Sequence, residues 1–176
     1  MLRNVEIKAR IERVEVLLPR VQAIADSGPS EIFQDDTFFS CPNGRLKLRA
    51  FSETDGELIF YRRPDSAGPK ESFYVISRTA SPNALREVLS LAYGQCGRVR
   101  KHRTLFLVGR TRIHLDEVEE LGHFLELEVV LSDGESAEDG VVVVYALLAR
   151  LGVSPQQLVE GAYVDMLRRK TQGTAR

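Results

Sequence analysis

Charge and hydrophobicity alternate residue by residue through Gly44-Arg45-Leu46-Lys47-Leu48-Arg49. Alternate side chains of a β-strand share a face, so Arg45, Lys47 and Arg49 line one side and Leu46 and Leu48 the other. The pattern recurs with different charges. Asn4, Glu6, Lys8 and Arg10 alternate with Val5, Ile7, Ala9 and Ile11. Arg112, His114 and Asp116 alternate with Ile113 and Leu115, and Glu126 and Glu128 with Leu125, Leu127 and Val129. Strand after strand carries one apolar face and one densely ionic face holding both signs.

A chain of 176 residues fits one domain, large enough to bury a core without disulfides or a metal staple. The formal net charge of -1 supplies no global basic field for nucleic acid, so any anion must be held by cations gathered locally. Cys41 and Cys96 lack CxxC spacing, which favours free thiols in a reducing compartment. No apolar leader or run of membrane-spanning length is present, and the longest apolar block is Val141–Ala149. A soluble, cytoplasmic protein that binds neither nucleic acid nor membrane is the expectation.

Residues 3–11 read as a strand, and Val14, Leu17, Leu18, Val21 and Ile24 follow helical spacing, with Pro19 inside the run. Ser27-Gly28-Pro29-Ser30 reads as a break. Strands are expected at 31–40, 44–51 and 57–63, parted by the turn signals Pro42-Asn43-Gly44 and Asp55-Gly56. A loop over 65–70 precedes a strand near 72–78, and Ser81-Pro82 opens a helix. Further strands fall near 97–103, 105–109, 111–117 and 124–131, with a tight turn at Gly109-Arg110. Helices cover about 137–151 and 163–170, with Ser154-Pro155 capping another between them. The sum is an α+β domain over 1–170, with 171–176 as a flexible tail.

A half-exposed sheet facing water explains any one ionic face. It explains poorly why Arg, Lys, Glu and Asp concentrate at matched phase on so many strands. An eight-stranded antiparallel β-barrel with a polar interior and peripheral helices accounts for all of them, and its interior has room for one small ligand. Such a cavity gathers Lys8, Arg10, Arg45, Lys47, Arg49, Arg63, Lys101 and Arg103. Burying so many cations without a counter-anion is prohibitive, so the expected guest is strongly anionic, and phosphate oxygens suit these donors. Carboxylates in the same cavity make sense if Mg²⁺ or Mn²⁺ lies between them and the phosphates. Glu126 and Glu128 can share an ion, and Glu6 and Asp116 can join from neighbouring strands.

These residues resemble the CYTH, or triphosphate tunnel, superfamily, which includes class IV adenylate cyclases, thiamine triphosphatases and inorganic triphosphatases. The resemblance rests on Asn4-Val5-Glu6-Ile7-Lys8, where the family has ExExK, and on Gly44–Arg49, Tyr61-Arg62-Arg63-Pro64 and Lys101-His102-Arg103. It continues through His114-Leu115-Asp116, the run Leu121–Glu128, and Tyr163-Val164-Asp165. The wording is most similar to the class IV adenylate cyclase-like branch. The resemblance implies a triphosphate partner (ATP, thiamine triphosphate or tripolyphosphate) contacted by Lys8, Lys47, Arg49, Arg63, Lys101 and Arg103. Arg10 shares their phase. Metal falls to Glu6, Asp116, Glu126 and Glu128, and the catalytic pair to Lys8 and Glu6. Asn4 replaces the first Glu of ExExK, which keeps a carbonyl oxygen but removes a formal charge from a second metal position.

Two reactions fit such a tunnel: cyclisation of ATP to cyclic AMP and pyrophosphate, and hydrolysis with release of orthophosphate. A non-catalytic triphosphate or polyphosphate binder, from a different class, is encouraged by Asn4. No segment reads as an adenine pocket, and a homodimer is compatible with the sequence. On the inner phase, His114 has three readings: hydrogen-bonding phosphate, relaying a proton, or inert packing. His102 and His123 point outward by phase. Arg45, at its strand's start, reads as a tunnel-mouth residue as readily as a ligand. Tyr163 and Asp165 read as docking a helix, and Cys41 lacks the partners of a nucleophile.

Overall fold

Period-two alternation lets a sheet bury its apolar side against helices while turning its ionic side inward, provided the sheet closes on itself. The computed structural model shows this closure. It describes residues 2–64 and 67–174; Asp65 and Ser66 of the expected loop, and positions 175 and 176 of the expected tail, lie outside the described residues. The strands are β1 (Leu2–Arg10), β2 (Ser27–Phe39), β3 (Arg45–Ala50), β4 (Gly56–Arg62), β5 (Lys70–Thr79), β6 (Gln95–Val108), β7 (Thr111–Val118) and β8 (Gly122–Val130). The helices are α1 (Val14–Gln22), α2 (Pro82–Tyr93), α3 (Ala137–Leu151) and α4 (Tyr163–Thr174). A single 3-10 turn at Pro155–Gln157 precedes α4.

The ring order is β1-β5-β4-β3-β2-β6-β7-β8, with β8 returning to β1 and every pairing antiparallel. Closure leaves no unpaired edge to manage. The outer faces of β1, β7 and β8 bury Val5, Ile7, Ile113, Leu115, Leu125 and Leu127 beneath α1 and α3. Each such side chain contributes about 1.5–3 kcal/mol by leaving water. A second apolar set, Phe39, Leu48 and Leu89, seats α2 on β2 and β3. At Gly97 a Cβ would fall inside the Val164 side chain, so glycine sets the depth at which α4 lies on β6. No described helix is long and apolar enough to cross a membrane.

Three boundaries differ from the sequence expectation. Ser27–Ser30 is no break: β2 begins at Ser27, passes through a cis Gly28-Pro29 bond and shifts register between Ser27 and Ser30. The stretches 97–103 and 105–109 are one strand, β6, because it pairs β2 on one side and β7 on the other along its length. The α4 helix also reaches Thr174, into the stretch read as tail.

Candidate active site

The barrel encloses a cavity of about 420 Å³. Lys8, Lys47, Arg49, Arg63, Lys101 and Arg103 all line it, as do Asn4, Glu6, Glu126 and Glu128. The matched phase of distant strands therefore converges on one space. Arg10 shares the phase of Lys8 but lies outside the lining. It is exposed, with its guanidinium 4.7 Å from the Phe124 ring centroid and Nη1 donating to the Leu121 carbonyl at 2.9 Å. The Phe124 and Tyr163 rings, 4.9 Å apart, close the tunnel between Lys8 and Arg10. Arg45 is likewise diverted, bonding Asp165 of α4 at 2.7 Å.

Two buried aspartates hold the cations in place. Asp36 on β2 receives Arg49 through two bonds of 2.8 Å, one to each oxygen, and Lys47 at 2.8 Å. Asp116 on β7 receives Arg103 through two bonds of 2.7 Å, Lys101 at 3.2 Å and the Tyr163 hydroxyl at 2.8 Å. A carboxylate has about four acceptor positions, so Asp116 is fully engaged. Expected as a metal ligand, it lies outside the tunnel lining, and its partners here are Arg103, Lys101 and Tyr163. Burial alone would raise the Asp36 carboxyl, but Arg49 and Lys47 outweigh it and hold it well below the usual range. Asp116 behaves alike: burial pushes it up, and Arg103 and Lys101 carry it well below the ordinary value.

The cations themselves are under electrostatic pressure. Burial, followed by the neighbouring Arg103, lowers Lys101 to about 7 despite the pull of Asp116 and Glu126. Burial and Arg49 similarly lower Lys47. An arriving polyanion relieves this crowding.

The acidic wall is β8. Glu126 faces Lys8 of β1 and His114 of β7 in register, and Glu128 faces Glu6 and Arg112. Glu126 accepts from Arg103 at 2.9 Å and lies 3.7 Å from the Lys8 ammonium. Glu128 accepts from Arg112 at 2.8 Å through Oε2. Burial would raise Glu128, but His114 and Arg112 bring it down to about 2, against the opposing push of Glu126. Burial and Arg103 lower His114 to about 4, so its imidazole is neutral at pH 7. Glu6 is joined to Arg63.

The residues present fit a divalent cation. One ligand atom each from His114, Glu126 and Glu128 lies within 4.8 Å of the others, and no further such group occurs among the described residues. The buried Nδ1 of His114 and Oδ1 of Asn4 lack a hydrogen-bond partner, which is unusual for buried polar atoms. Of the four carboxylates expected to hold metal, Glu126 and Glu128 lie in this group, while Glu6 is paired with Arg63 and Asp116 with Arg103 and Lys101.

Sequence reasoning passed over Asp36 and Arg112. Asp36 sits in an Asp35-Asp36 doublet, so its phase is legible only once Phe38 and Lys47 are seen on the same wall. Arg112 was visible in the alternation with His114. Tyr163 combines docking with closure: its ring centroid lies 4.2 Å from the Lys8 ammonium and 4.9 Å from that of Lys101. Toward the start of β1 the lining turns apolar, with Ile59, Ile76 and Val130. No charge alternation in β5 announces this.

A closed antiparallel barrel with an ionic interior and a helix-covered apolar exterior defines a tunnel protein. The CYTH domain profile matches residues 2–163, and the chain belongs to the CYTH family. It is 24% identical over 171 residues, 91% of this chain and 86% of the other, to adenylate cyclase CyaB of Aeromonas hydrophila. Its fold is similar to that of the PH1012 protein of Pyrococcus horikoshii, with TM-score 0.82 and 21% identity over 92% of this chain and 98% of the other. It is similar also to HpAC1 of Hippeastrum, an adenylyl cyclase by designation with a dominant triphosphatase activity. There the TM-score is 0.68, with 17% identity over 97% of this chain and 96% of the other.

Proposed function

We propose that this protein is a divalent-cation-dependent enzyme acting on an organic triphosphate, with cyclisation of ATP to cyclic AMP and pyrophosphate as its leading reaction. The observation that carries the proposal is the convergence of six buried or half-buried cations on one cavity that Glu126 and Glu128 also line. Lys47 and Arg49 on β3 and Lys101 and Arg103 on β6 grip phosphate oxygens, already oriented by Asp36 and Asp116. Lys8, between Glu126 and the Tyr163 ring, reaches the phosphate chain near the closed end. Glu6 orients Arg63. Glu126 and Glu128 would hold the divalent cation, which would supply a lowered pKa at the attacking oxygen and offset phosphate charge.

The apolar stretch at Ile59, Ile76 and Val130 offers a place for the organic group, which favours a nucleoside over an inorganic triphosphate. The designation of the Aeromonas relative as an adenylate cyclase supports cyclisation. Hydrolysis uses the same tunnel, with water attacking the terminal phosphate. Asn4 favours a second reading, a triphosphate binder without turnover, because it removes a formal charge from the ExExK position.

Incubation with ATP, thiamine triphosphate and tripolyphosphate, each with Mg²⁺ or Mn²⁺, separates these readings by product. Cyclic AMP with pyrophosphate supports the cyclase, orthophosphate the triphosphatase, and tight binding without product the binder. Glu126→Gln with Glu128→Gln should abolish metal-dependent turnover while the circular dichroism spectrum stays native. Unchanged turnover would remove these residues from the metal site.

A further inference from the structure

We propose that His114 is a nitrogen ligand to the divalent cation, completing a mixed site with Glu126 and Glu128. This rests on the metal-dependent reading above and goes beyond it by naming a ligand that is not a carboxylate. Its consequence is selectivity: the site prefers Mn²⁺ to Mg²⁺.

Three observations carry it. First, His114, Glu126 and Glu128 each place one ligand atom within 4.8 Å of the others. Second, His114 is 3% exposed and its Nδ1 has no hydrogen-bond partner. A buried ring nitrogen costs free energy when left unpaired, and this one lies 3.9 Å from Glu128 Oε1. Third, the neighbouring oxygens are divided. Arg112 occupies Glu128 Oε2 and Arg103 occupies Glu126 Oε2. Glu128 Oε1 is then the oxygen nearest the imidazole, and Glu126 Oε1 has Lys8 only at 3.7 Å.

The cross-strand register explains why a histidine can join this wall. His114 and Glu126 are direct partners between β7 and β8, and Glu128 follows two residues on along the same inner face. Asn4 sits two residues before Glu6 on β1, across the barrel seam from Val130. The imidazole supplies a donor without adding negative charge. Imidazole is a poor partner for Mg²⁺, which demands hard oxygen ligands, and a better one for divalent transition ions, of which Mn²⁺ is the weakest binder of the series.

Electron spin-echo envelope modulation of Mn²⁺ bound to the full chain tests this, with and without tripolyphosphate. The wild-type protein should show modulation from a directly coordinated ¹⁴N nucleus. Incorporation of ¹⁵N-histidine into otherwise unlabelled wild-type protein should replace that pattern, a result that needs no mutation. His114→Gln should remove the modulation. It should also weaken Mn²⁺ binding by at least the tenfold, roughly, that even outer-shell changes cost, with Mg²⁺ binding nearly unchanged. Bound Mn²⁺ without nitrogen modulation overturns the assignment of His114 and leaves the metal-dependent reading standing. Failure of wild-type protein to bind Mn²⁺ in either condition overturns both. Modulation that persists in a folded His114→Gln protein also overturns this inference.

Discussion

Lys47-Leu48-Arg49 on β3 and Lys101-His102-Arg103 on β6 are the same device on two walls of one tunnel, each forked by a buried aspartate on an adjacent strand. Their surroundings differ. The β3 side chains keep some contact with solvent, at 14% for Lys47 and 13% for Arg49, whereas Lys101 and Arg103 retain 4% and 6%. Asp36 serves Lys47 and Arg49. Arg103 in turn serves both Asp116 and Glu126, so it ties the cationic wall to the acidic one. The β3 pair can adjust to a ligand. The β6 pair also holds the site together.

Arg103→Ala breaks the comparison most sharply. It leaves two buried carboxylates short of a partner and should cost about 3–5 kcal/mol in denaturant unfolding. Arg49→Ala leaves Asp36 with Lys47 and should cost about 1–3 kcal/mol. Equal losses would make the two walls equivalent.

Ligand binding should rank next. Losing the charge-assisted bonds of Arg49 should weaken tripolyphosphate binding by about ten- to a hundredfold, measured by calorimetry, and orthophosphate binding far less. Equal losses for both anions would contradict a grip on the whole phosphate chain.

Lys101 sharpens the contrast through pH. Its pKa in the folded chain is lowered to about 7 from an ordinary 10.5. Between those values the unfolded chain holds a proton that the folded chain lacks, so this group makes stability rise with pH across the window. Lys101→Met should flatten that rise between pH 7 and pH 9. Conversely, a bound polyanion restores the charge, so tripolyphosphate binding above pH 7 should take up protons. Titrations in buffers of different ionisation enthalpy would show it, and no uptake would mean that Lys101 is already charged. The smallest effect belongs to Arg10, beyond the Phe124–Tyr163 closure: Arg10→Ala should leave tripolyphosphate affinity within about twofold.

Much of the site could be read before the fold was seen, because alternation is a local property. Lys8, Lys47, Arg49, Glu126 and Glu128 declare their face by having apolar neighbours on either side, whereas Lys101 and Arg103, with polar neighbours, are marked only by sharing a phase. Arg10 has the same phase and a different fate, since phase says which wall a residue joins but not how far the cavity extends. Asp36 escaped notice for the opposite reason: a second aspartate beside it blurs the period. Asp116 was legible as an inner residue, yet its role depends on four donors from β6 and α4. The division of β6 into two expected strands shows the same limit, since its continuity comes from partners on both sides.

The alternating sequence by itself determined that each of these strands has one apolar and one ionic face, because alternate side chains of a strand point to opposite sides. Which charges remain available inside was decided by the tertiary structure. Neighbouring strands paired across short turns set β2 beside β3, β6 beside β7 and β7 beside β8, so Asp36 and Asp116 are spent on arginines and His114 lies with Glu126 and Glu128. Pairing between strands far apart in the chain, β2 with β6 and β1 with β8, brings the two cation sets and Lys8 to one space, the docking of α4 adds Tyr163, and no local period encodes those pairings.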